Sequence, residues 1–254
     1  MGPTLAIAFG AGLASALLFA TLASGSVMAL ILFYFAALPV LIAGLGWGHY
    51  AGAFAAAIGA LALSLAFRSD FGIFFFFSVG LPAWVLTYAA LSLRAAPTSE
   101  DPQAVEWVPA GLLLTMIGGG AVLLTLFAIV ALYGLDFEAF QTATRQAIGR
   151  IVAQVRTTTV DRDLLVAVMA AAVPIAAAVV WTFVTTVNLY IAGRIVRASG
   201  RLVRPWPDLP ALKLPKWTAV ALFVGSVGSF ASGFPGQLAA IVLAVGLAVY
   251  ALQG

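Results

Sequence analysis

Apolar residues occur along this chain in long blocks, and the short stretches between the blocks hold its charge. Six blocks, 5–23, 27–46, 50–67, 71–93, 108–135 and 164–193, each come close to or exceed the length that crosses a bilayer as a helix, about 20 apolar residues. Two further blocks, 217–234 and 238–252, are shorter, and Gly233, Pro235 and Gly236 between them predict either a tight hairpin or a broken helix. The pattern predicts an all-α fold, a polytopic transmembrane bundle of about eight helices in a single membrane domain over residues 1–254. Seven helices, or a re-entrant last pair, is the alternative.

One polar stretch has a pattern of its own. Phe137, Phe140, Thr144, Ile148, Ile151 and Val155 step by three and four, while Glu138, Arg145 and Arg156 fall largely elsewhere. This predicts an amphipathic helix over about 137–156, resting in the membrane interface or lidding the outer mouth of the bundle.

Composition agrees with the blocks. Of 254 residues 63% are hydrophobic and 8% charged, against about 25% charged in an ordinary soluble domain. The mean hydropathy is +1.12. A net charge of +3 in such a chain reads as loop orientation and attraction to anionic lipid, not as nucleic-acid binding. There is no cysteine, so disulfides, thiolate metal sites and cysteine nucleophiles are excluded.

Charge placement sets the expected orientation. Arg194, Arg197, Arg201, Arg204, Lys213 and Lys216 face the single Asp208 between blocks six and seven, which places that loop in the cytoplasm. Counting outward, the N-terminus and the loop from Arg94 to Trp107 are cytoplasmic, while 68–70 and 136–163 face outward. The N-terminus lacks the basic residues that precede a cleaved signal, so the first block is expected to be retained as a span. Along it Ala8, Gly12, Ala16, Ala20 and Ser24 recur every four residues. Such a small-residue stripe lets a second helix approach closely, either inside the bundle or on a separate membrane subunit.

Inside the blocks ionisable groups are absent. None contains Asp, Glu, Lys or Arg in its interior, which argues against a proton-pumping core and a metal-ion channel. The lone histidine, His49, lies at a block junction beside Trp47 and Tyr50; no metal site and no cofactor is expected. The polar groups that do occur are neutral. Asn188, with Thr182, Thr185, Thr186 and Tyr190 around it, is available either to helix packing or to a ligand, and Gln237 offers the same near the outer turn. Pro39, Pro82, Pro109 and Pro174 each remove a backbone donor, and kinks at such points can line a cavity. The run Gly118-Gly119-Gly120 marks a further bend or close approach. Asn188, Thr185, Tyr190, Pro39 and Trp47 are the candidate substrate-binding residues.

Catalytic templates are missing. No phosphate-binding glycine loop, no Gly-x-Ser-x-Gly elbow and no His-Glu-x-x-His pair occurs, so no catalytic residue is assigned. Arg194, Arg197, Arg201 and Arg204 would form one stripe facing lipid phosphates if block six continued as a helix; otherwise they orient and anchor the loop.

The run from Asn188 through Gly193-Arg194, Arg197 and Arg201, followed by Arg204-Pro205-Trp206-Pro207-Asp208 and Leu214-Pro215-Lys216-Trp217, resembles the YybS-like bacterial membrane proteins, a family defined by a domain of unknown function. The segment from Leu38-Pro39 through Gly44 to Trp47-Gly48 is similar to that family's early motif, so the resemblance spans essentially the whole chain. It carries no established activity. The family's architecture is similar to the substrate-binding components of energy-coupling-factor vitamin transporters, which implies a small-molecule carrier in the bacterial inner membrane. Such relatives continue past a Leu-Gln-Gly like Leu252-Gln253-Gly254, and no basic or aromatic anchor follows Tyr250 here; a further helix beyond Gly254 is therefore expected. The expected partners are the lipid bilayer, an unidentified small molecule and, through the first helix, another membrane subunit. The functional expectation is an inner-membrane transport component, with a non-transporting scaffold or partner subunit as the alternative and a lipid-modifying enzyme as the third reading.

Overall fold

The computed structural model describes residues 2–95, 105–134, 136–154, 161–206 and 212–253. Val155, Arg156 and Asp208, each used in the sequence reading, lie outside them. Among the described residues seven helical stretches are long and apolar enough to cross a membrane: Gly2–Ser24, Val27–Trp47, His49–Ala66, Ser69–Ala90, Ala110–Tyr133, Arg162–Ala198 and Gly233–Gln253. The protein is an all-α, multi-pass membrane protein. Its large exposed apolar side chains, such as Leu17, Leu65 and Leu123, are those a lipid solvent accommodates.

Two compact units divide the chain, the first made of Met1–Ile117, Val184–Leu214 and Gln253, the second of Gly118–Phe183, Pro215–Leu252 and Gly254. In the first unit, α1 (Gly2–Ala20) ends in a 3₁₀ turn at Thr21–Ser24. The second span is α2 (Val27–Tyr34) and α3 (Leu38–Trp47), the third α4 (His49–Ala66). The fourth is α5 (Ser69–Phe75), a π turn at Phe76–Gly80, and α6 (Leu81–Ala90). With lipid outside, helices gain little from hydrophobic burial and associate by close packing of small residues. The first-helix stripe does this against α4: a Cβ on Gly12 would stand 2.6 Å from the Ala55 carbonyl oxygen, and one on Gly59 3.0 Å from that of Gly12. Ala8 and Ala16 are buried, Ala20 half-buried and Ser24 exposed. Ala8, Gly12 and Ala16 of the stripe are thus packed within this unit.

Phe19 anchors the same seam. Its ring lies 5.2–6.0 Å from those of Phe33, Phe71, Phe74 and Phe75, all four tilted or edge-on at 50–81°. Farther along, a Cβ on Gly44 would meet Thr87 at 2.6 Å, so α3 and α6 touch through a glycine. Pro82 cannot donate to the turn before it, and the helix accommodates this with the wider π turn rather than with a break. The stretch read as a plain loop from Arg94 contains a two-stranded antiparallel ribbon, β1 (Leu93–Ala95) with β2 (Val105–Trp107), in which Arg94 and Glu106 form a 2.7 Å ion pair.

Later elements are α7 (Ala110–Tyr133), α8 (Phe137–Gln154), α9 (Arg162–Ala198), α10 (Trp217–Gly228) and α11 (Gly233–Gln253). Pro109 precedes α7 and so opens a helix instead of kinking one. In the second unit the triple glycine leaves α7 unbroken; Gly118 admits Val245 and Val249, and Gly120 admits the Trp181 ring. Close approach, not bending, is its role. The amphipathic helix is present, with Phe137, Phe140 and Thr144 of the predicted face half-buried and Ile148 buried; only its later end differs, where Val152 joins Ile148 against Ala170, Leu165 and Val166 of α9 while Ile151 is 56% exposed. The packed face advances by four residues at each step, from Ile148 to Val152, as it does when one straight helix lies along another.

The predicted seventh span is shortened. At 12 residues α10 extends about 18 Å, less than the roughly 30 Å of hydrocarbon. It lies antiparallel on α11, with Gly225 against Ala239 and Leu243, Gly246 against Leu222, and the Thr218 and Tyr250 hydroxyls 3.0 Å apart. Gly233, Pro235 and Gly236 open α11 rather than forming the connection. Pro235 needs no amide donor in a first turn, so α11 gains a turn that the sequence pattern assigned to the loop.

Candidate functional site

Midway along the second span the helix comes apart. Pro39 lacks an N–H, and its ring crowds the carbonyl four residues earlier, so the regular ladder cannot pass from Tyr34 to Leu38. The chain tightens instead: Phe35, Ala36 and Leu38 donate to Leu32, Phe33 and Phe35, each at 3.0 Å with three-residue spacing. Eight helical residues precede the break and ten follow it, so it sits roughly half-way through the span. Backbone carbonyls freed at that depth have no water to satisfy them and need partners from the protein.

Two neutral side chains provide those partners. The Asn188 amide of α9 donates to the Tyr34 carbonyl at 2.7 Å and to its own helix at Val184 at 2.8 Å. From α1, the Ser15 hydroxyl donates to the Ala36 carbonyl. Both are sealed away, at 0% exposure for Ser15 and 1% for Asn188. Both amide hydrogens of Asn188 are thereby used, and its buried Oδ1 has no hydrogen-bond partner among the described residues. An orphaned acceptor in such surroundings is costly unless a donor or a cation reaches it.

Of the five candidate binding residues, the structure brings Pro39 and Asn188 to one point: the proline makes the break and the asparagine caps it. Thr185 is buried nearly one turn before Asn188 on α9. Tyr190 is half-buried two residues beyond Asn188, off the buried ridge. Trp47 lies apart, at the far end of α3, where its ring faces the Arg201 guanidinium at 4.6 Å. Ser15 was missed. A lone hydroxyl in the middle of an apolar block was its only signal, hidden beside the small-residue stripe.

The arginines do not form one helical row. Arg194 and Arg197 are exposed on the last turns of α9, which ends at Ala198; Gly200 then takes φ +70° and redirects the chain. Arg201 turns onto Trp47. Arg204, 5% exposed, donates to the carbonyls of Ala90 at 2.9 Å and Val108 at 3.2 Å. Burial pushes its guanidinium below the usual arginine value. This arginine ties the loop to the C-terminal end of α6, where carbonyls lack helical partners, and is not available to lipid phosphate. Trp206 packs its ring on Gly193, where any side chain would overlap it.

His49 opens α4 with its ring 4.0 Å from Tyr50 and 5.1 Å from Tyr88. Among the described residues no three His, Cys, Asp or Glu gather as metal ligands. In the second unit Phe137, Phe140, Gln141, Arg145 and Gln237 border a cleft of about 30 Å³, where Gln237 also donates to Ala171 at 2.9 Å. That is the room of about one water and holds no metabolite as it stands. No family model, curated protein or solved structure matches the chain.

Proposed function

We propose that this protein is a small-molecule transport component of a bacterial inner membrane, with the N-terminus and the arginine-bearing loop in the cytoplasm. The observation that supports this most directly is the break at residues 35–37, half-way through a span and capped only by neutral side chains. Transport folds place their sites near the bilayer midplane, at discontinuous helices whose loose carbonyls face a ligand. The orphaned Asn188 oxygen stands where such a ligand would bind. Resemblance of the basic loop and the Leu38–Trp47 segment to YybS-like proteins, with their likeness to vitamin-carrier components, points the same way. The scaffold reading, drawn from the first-helix stripe and the arginine loop, is less favoured, because Gly12 within that stripe packs on Ala55 and Ile58 of α4.

Mass spectrometry of the gently purified protein tests the proposal. A small molecule should co-purify and be lost in Asn188→Ala with the fold retained; a ligand equally retained by the variant would remove Asn188 from the site. Orientation has a direct assay, since the chain has no cysteine: a single cysteine at Arg197 should react with impermeant reagent only in inside-out vesicles, and one at Glu138 only in intact cells.

A further inference from the structure

Three helices deliver oxygen atoms to the break and none delivers a charge. The Asn188 Oδ1 is buried and, among the described residues, unpartnered. Ser15 Oγ donates its one hydrogen to Ala36 and keeps its lone pairs, and the Tyr34 and Ala36 carbonyls each accept one side-chain bond with a second lone pair to spare. Tyr34 is also the last residue of α2, so its carbonyl lies at the negative end of that helix. Neutral carbonyl, amide and hydroxyl oxygens are ligands for hard cations. A divalent ion in so buried a place would need carboxylates to offset its charge, and the spans have none in their interiors. A monovalent ion does not impose that demand.

We propose that the break in the second span is a sodium-binding site formed by Asn188 Oδ1, Ser15 Oγ and the backbone carbonyls of Tyr34 and Ala36. It rests on the transport reading of the same place and adds a bound ion to it. Binding would join α1, the α2–α3 break and α9, and so set how tightly the broken span is held.

The test uses the full chain in detergent, with sodium chloride exchanged for choline chloride or potassium chloride at constant ionic strength while thermal unfolding is followed. Sodium at roughly ten times its dissociation constant should raise the midpoint by about 3–6 °C, and neither replacement should. Ser15→Ala and Asn188→Ala should lose the response, and Arg197→Gln should keep it. No sodium-specific shift in the unsubstituted protein overturns the proposal and makes the orphaned oxygen a water site. So does a shift that survives both substitutions, since the ion then binds elsewhere. Should Asn188→Ala fail to fold, Ser15→Ala decides. A co-purifying small molecule in a protein without sodium response would leave the transport reading standing and remove only the ion.

Discussion

Gly10 and Gly12 lie two residues apart on α1 and face different surroundings, which makes them a matched test of the α1–α4 seam. A methyl group on Gly10 meets nothing within 4 Å. On Gly12 it would lie 2.6 Å from the Ala55 carbonyl oxygen and 3.0 Å from Ile58 Cβ and Cγ2. Both changes to alanine gain the same helix preference, about 0.5–1 kcal/mol, so that term cancels in the comparison. What remains is the overlap with a backbone oxygen that cannot rotate away, about 1–3 kcal/mol by the usual cost of overpacking. Gly12→Ala should therefore be less stable than Gly10→Ala by a factor of roughly 5–150 in the folded-to-unfolded ratio, and its midpoint lower by about 2–12 °C. Reversible unfolding of the two variants in mixed detergent, followed by circular dichroism, reads the difference. Equal stabilities, or Gly12→Ala the more stable, would mean that the stripe is open and the packing argument is wrong.

Other outcomes follow from single contacts. Arg204→Lys should destabilise the protein by about 1–3 kcal/mol, because a single ammonium cannot reproduce the guanidinium fork across the Ala90 and Val108 carbonyls; Arg197→Lys, at an exposed position, should leave the midpoint unchanged. On α8, Ile148→Ala should cost about 2–5 kcal/mol and Ile151→Ala less than about 0.5, and a comparable cost at both positions would restore the predicted face. Thr218→Val should lower stability by about 1–3 kcal/mol through loss of its hydrogen bonds to the Pro215 carbonyl and the Tyr250 hydroxyl, whereas Thr125→Val, whose hydroxyl donates to Ala121 of its own helix, should change little.

The spans were legible because length and hydropathy alone decide which segments lipid accepts as helices. Their ends were less so. Whether Pro235 ends a helix or begins one depends on which side its missing donor falls, and hydropathy does not distinguish the two. Only the last described position of the α8 face was misplaced, because a three-and-four pattern leaves Ile151 and Val152 equally eligible until a neighbouring helix chooses. For the site, Asn188 and Pro39 stood out as polar and proline residues in apolar blocks, but nothing in their spacing joined them: Tyr34 and Asn188 are 154 residues apart. Arg204 read as one more basic loop residue because only the fold shows carbonyls converging on it.

That separation also sets an order of events. Ser15 is already made when Ala36 leaves the ribosome, so one carbonyl of the break finds its donor at once. The other must wait for the chain to grow by 154 residues, about 8–30 s at roughly 5–20 residues per second. During that interval the nascent second span has an unmet acceptor half-way through the bilayer, and a passing lipid hydroxyl, a trapped water or an insertion factor has to shelter it until α9 arrives.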